Sequence, residues 1–95
     1  MYKVIKTTET KAGDKYSREY ECIDSIAAYA KFYEVVDLEL CLFCDCWEVD
    51  RETVMINRHG NDWKIQFIAN QSFRLDTIDM DPCLTSTTTI KVVQA

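Results

Sequence analysis

The chain contains two glycines, one proline and one histidine among its 95 residues. No apolar run approaches the roughly 20 residues that a membrane-spanning helix needs. Each scarcity removes a class of function. With Gly13 and Gly60 far apart, no glycine-rich loop can bring backbone amides against a phosphate, so P-loop and dinucleotide fingerprints are excluded. With His59 alone, in a turn beside Gly60, a histidine-based acid–base pair has no second member, and a solvated turn residue is expected. Bases are scarce as well: Lys and Arg total 11 against 16 Asp and Glu, giving a net charge of −5 and a pI near 4.7. A nucleic-acid binder needs a basic face to displace counterions from phosphates, so direct nucleic-acid binding is not expected. The first ten residues, Met1 to Thr10, hold no apolar stretch of signal-peptide type, and a cytoplasmic location follows as the expectation.

What is present describes an ordinary globular chain. Hydrophobic residues make up 47% and charged residues 28%, and the length suits one domain spanning residues 1–95. Lys3–Thr10 and Lys15–Cys22 are β-prone segments separated by Ala12-Gly13-Asp14, which reads as an N-terminal hairpin. Asp24 or Ser25 can cap a helix over Ser25–Val36, with Ile26, Tyr29, Ala30, Tyr33 and Val36 on its apolar face. From Leu38 to Val49 the pattern switches to period two, with Leu38, Leu40, Leu42, Cys44 and Cys46 facing inward. Thr53–Asn57 and Asp62–Ala69 form a candidate second hairpin around Arg58 to Asn61, with Trp63, Ile65, Phe67 and Ala69 on one face. Phe73–Ile78 is ambiguous, Asp81-Pro82 marks a break, and Thr87–Val93 supplies a closing strand. The expected fold is α+β: an antiparallel sheet of five to six strands with one amphipathic helix packed on one face.

Five cysteines occur, at 22, 41, 44, 46 and 83, an odd number that suits reduced thiols. Cys41-x-x-Cys44-x-Cys46 suggests a metal knuckle by spacing. On a strand, however, Cys44 and Cys46 would share a face while Cys41 turned away, so inert core thiols are expected and no metal site. Asp76, Asp79 and Asp81 crowd three carboxylates into six residues but lack the glycine and distal Glu of a calcium loop, leaving a solvated acidic segment. No catalytic constellation and no cofactor site emerges.

The charge is unevenly placed. Residues 1–33 carry a surplus of one base, and residues 63–95 are neutral. Residues 34–62 hold eight acids against two bases, and so contain the whole acidic excess. On the expected strand Glu39, Phe43, Asp45 and Trp47 share one face, and Glu48, Asp50 and Glu52 follow directly. Carboxylates interleaved with aromatics can steer a basic protein and then anchor it. In size and charge the chain resembles the small acidic proteins of phages, mobile elements and toxin–immunity loci, a likeness that involves no motif. It implies a non-enzymatic inhibitor or regulator that engages the basic surface of a nucleic-acid-handling protein. The alternatives are a cysteine-based metal protein, or an assembly subunit whose closing strand Thr87–Val93 offers a sheet edge for a homodimer.

Overall fold

Gly13 makes the first reversal of the chain. Its φ of +103° lies in a region open to glycine and strained for other residues. Thr10 fastens the turn: its N–H donates to the Asp14 carbonyl at 2.8 Å, and its hydroxyl oxygen accepts from the Asp14 N–H at 3.0 Å. The flanking segments form the expected hairpin, β1 (Tyr2–Thr10) and β2 (Lys15–Cys22), with Val4 opposite Tyr20. The computed structural model describes residues 1–48, 50–52, 54, 63–68, 72–78 and 85–94, with Trp47 and Ile68 described in their backbone alone.

Asp24 caps the helix that follows, its carboxylate accepting from the Ala27 N–H at 2.8 Å. That helix, α1 (Ser25–Trp47), is 23 residues long and runs straight through the segment whose alternation suggested a strand. The expected strand Leu38–Val49 is therefore corrected: residues 38–47 form the second half of α1, Glu48 caps it, and Val49 lies outside the described residues. Leu40 and Cys44, four apart, fit both periods equally well. Leu38 and Leu42 decide between them, because a strand would bury both and they are 57% and 58% exposed. No glycine or proline interrupts residues 14–59, and Leu and Glu are strong helix formers, so nothing stops the helix at Val36. It ends where Glu48 adopts the left-handed conformation, at φ 51°, and its N–H closes onto the Cys44 carbonyl.

The buried face of α1 also differs from the expected one. Ala28, Phe32, Val35, Val36, Leu40, Phe43 and Cys44 pack inward, whereas Ile26, Tyr29, Ala30 and Tyr33 are exposed. Both stripes are apolar over the first three turns. The stripe through Phe32 continues with Val35, Val36 and Phe43, while the one through Tyr33 meets the exposed Asp37 one turn later and is buried only beyond it, at Leu40 and Cys44.

Three more strands complete the sheet: β3 (Trp63–Ile68), β4 (Ser72–Thr77) and β5 (Ser86–Gln94). The order is β2-β1-β5-β4-β3, with every neighbouring pair antiparallel. The ambiguous stretch near Phe73 is thus β4, and it takes the pairing role expected of Thr53–Asn57. Within that expected strand Val54 is helical and buried, its N–H donating to the Asp50 carbonyl at 3.0 Å, and the other residues lie outside those described. The closing strand is also reassigned: β5 is paired on both sides, by β1 and β4, so it presents no edge for self-association. The edges of the described sheet are β2 and β3.

Registers and period-two alternation place Val4, Tyr20, Ile90, Phe73, Leu75, Ile65 and Trp63 on the side covered by α1, where the core forms. The opposite side is mainly polar, with Ile5 and Val93 among its residues, and is tied by cross-strand pairs such as Thr87 Oγ1 to Asp76 Oδ1 at 2.7 Å and Lys3 to Glu19 at 3.4 Å. The result is a single α+β domain in which, among the described residues, α1 covers one sheet face and no element covers the other, the arrangement in which clean inward–outward alternation is expected.

Candidate partner-binding surface

The acidic surplus read from the sequence gathers at the C-terminal end of α1 rather than along a strand. Asp45, Glu48, Asp50 and Glu52 are all exposed there. A helix end of this kind already carries about half a negative charge from its unsatisfied carbonyls, and the last turn of α1 contains no basic residue to offset it. Asp45 and Glu48 so placed oppose the α1 dipole at a cost of about 0.3–1 kcal/mol each, whereas Asp50 and Glu52 stand at the start of the helical turn that carries Val54, where a carboxylate is favoured. Arg51, the base nearest in sequence, folds back instead. Its guanidinium donates to the Asp37 carboxylate and approaches Cys41 Sγ at 3.8 Å. That pairing holds the Arg51 pKa above its ordinary value and directs its charge up the helix, away from the acids that flank it.

The expected site residues do not all share this place. Glu39 points toward the sheet, where its carboxylate pairs with the Lys6 ammonium at 2.5 Å and stays largely shielded from water. Phe43 is 5% exposed and packs edge-on against Trp63, with ring centroids 5.8 Å apart, so it belongs to the core and cannot anchor a partner. Trp47 is the last residue of α1, and its side chain lies outside those described. Asp45, Glu48, Asp50 and Glu52 remain as the surface component. The single face expected for Glu39, Phe43, Asp45 and Trp47 is corrected, because residues two apart on a helix diverge by about 200° instead of aligning.

The thiols are regrouped by the same change. Cys41 and Cys44, three apart, become neighbours on α1, whereas Cys46 projects to another side. Cys22 and Cys44 are buried as expected, but Cys41 and Cys46 are exposed. Burial raises the Cys44 pKa, and Cys41, Asp45 and Asp50 push it the same way against the opposing effect of Arg51, so Cys44 is held as a neutral thiol. Among the described residues no three His, Cys, Asp or Glu side chains converge in a way that could hold a metal ion. His59, Cys83, Asp79 and Asp81 lie outside the described residues; Asp76 is engaged by Arg74 at 3.0 Å and by Thr87.

One surface feature gave no signal in the sequence reading. A groove of about 460 Å³ runs between α1 and β3, lined by Tyr33, Val36, Leu40 and Phe67, with the Asp37–Arg51 pair at its rim. Its walls come from segments more than 25 residues apart in the chain, and the strand reading of Leu38–Val49 concealed it. No helix of the described chain is long and apolar enough to cross a membrane. No protein family, no curated protein and no solved structure matches the chain at a significant level.

Proposed function

We propose that the protein is a non-enzymatic protein-binding module that engages a basic surface of its partner through the acidic end of α1. Asp45, Glu48, Asp50 and Glu52 supply the charge. The observation that supports this reading is the concentration of four exposed carboxylates around the negative pole of α1, two of which, Asp45 and Glu48, oppose its dipole. Charge set against stability in this way serves an external partner. Summed with the carbonyl end of α1, the four acids project a field that raises the encounter rate with a positively charged surface and fades over about 8 Å at physiological salt. A nucleic-acid-handling enzyme offers such a surface, and occupying it makes the module an inhibitor or regulator of the kind expected from the chain's size and charge. A cytoplasmic location is part of the same proposal, and the odd number of cysteines supports it.

The test is affinity capture from the native lysate with the intact chain and with an Asp45→Lys, Glu48→Lys, Glu52→Lys variant. The intact chain is expected to retain a basic protein that elutes steeply with added salt, and the variant to retain none. The variant should melt near the parent, because Asp45→Lys and Glu48→Lys complement the α1 dipole and offset the effect of Glu52→Lys at the start of the next helical turn. Equal capture by a folded variant overturns the proposal.

A further inference from the structure

Helix α1 has two apolar faces and the sheet takes only one of them. Ile26 is 78% exposed and Tyr33 59% exposed, and Tyr29 joins them on the same side at a spacing of three and four residues. Phe67 of β3 is also exposed, and with Tyr33, Val36 and Leu40 it walls the groove beside them. The face therefore combines a projecting part, Ile26 and Tyr29, with a recessed part toward Leu40 and Phe67. Tyr33 lies between the two.

The geometry points to this face as the interface of a homodimer in which the α1 helices of two copies pack antiparallel about a two-fold axis near Tyr33. Such an axis sets each residue before Tyr33 opposite the one equally far after it. Ile26 of one copy then meets the recess at Leu40 of the second copy, and the Tyr29 phenol meets the Asp37–Arg51 pair, which offers it a polar partner. The same exchange occurs twice, as an isologous contact requires. Ile26, Tyr29, Tyr33 and Phe67 together expose on the order of 500 Å², more than half of the roughly 800 Å² per partner in a standard interface.

Charge selects the same orientation. The 23 residues of α1 extend about 34 Å. An antiparallel pair keeps the two acidic ends apart by a distance of that order, several times the screening length of about 8 Å, and brings each beside the positive pole of the other helix. A parallel pair would place eight exposed carboxylates together. A second copy thus fits the face in shape, area and charge, and the acidic ends of both copies stay open.

Sedimentation equilibrium of the intact chain from about 1 µM to about 1 mM tests this assignment. The expected mass is twice 11.1 kDa at the upper concentrations. Ile26→Asp and Tyr33→Asp, both at exposed positions that leave circular dichroism unchanged, each weaken association at least about tenfold, since each buries an unpaired carboxylate. Leu42→Asp, on the other flank of α1, leaves the dimer intact. A single-chain mass throughout, a dimer that survives both substitutions, or equal weakening by Leu42→Asp overturns it. Lysate capture by the acidic end is a separate readout, so either result stands without the other.

Discussion

Glu39 and Phe43 show how one change of backbone periodicity reassigns a side chain. Four residues apart on α1, both turn toward the sheet, one to meet Lys6 and the other Trp63. The Lys6–Glu39 pair sits at the margin of the core, with 27% and 15% of the side chains exposed, so removing one member leaves the other short of both water and a partner. Glu39→Ala is expected to lower stability by about 1–2 kcal/mol, less than a fully buried pair because solvent still reaches it. Lys6→Met combined with Glu39→Leu should recover part of that loss. Urea midpoints of Lys6→Met, Glu39→Leu and the double variant give the coupling, and strict additivity would show that the contact carries no energy.

At the level of elements, the hairpin β1–β2 was legible because Gly13 and the alternation of Lys15–Cys22 point the same way. β3 was legible from Trp63, Ile65 and Phe67, and the start of α1 from Asp24. The rest of α1 was not, since Leu40 and Cys44 satisfy both helical and strand periods and an internal charge, Glu39, hides on the buried face with its cation, Lys6, on strand β1. The groove beside Phe67 was illegible for a related reason: its walls are joined by tertiary packing and not by spacing. The acids at 45–52 were legible as a cluster, but their position at a helix terminus was not. The cap is the element's most local determinant. Asp24→Ala removes the acceptor for the Ala27 N–H and should cost about 1 kcal/mol, seen as a fall in Tm of about 4–8 °C in a domain of this size. An unchanged Tm would mean that packing alone holds the first turn.

For the molecule as a whole, the sheet order sets a gradient of stability from the centre outward. β1 and β5 are paired on both sides and contribute the fully buried Val4 and Ile90, whereas β2 and β3 are the edges of the sheet among the described residues. Amide exchange should therefore be slowest in β1 and β5 and approach the global unfolding limit there, with the edge strands exchanging earlier; the fastest protection loss in β5 would contradict this order. The position of β5 carries a further consequence, for the time course of folding. The sheet consists of two hairpins, β1–β2 and β3–β4, and β5 is the strand that joins them. Its partner β1 lies about 85 residues earlier in the chain, with Tyr2 opposite Gln94, so the loop to be closed is nearly the whole chain. On a ribosome, the hairpins and the helix must wait with their apolar faces uncovered until β5 has emerged. Assembly is then governed by a single late docking event, of the kind that makes non-local β topologies slow and exposes nascent chains to aggregation.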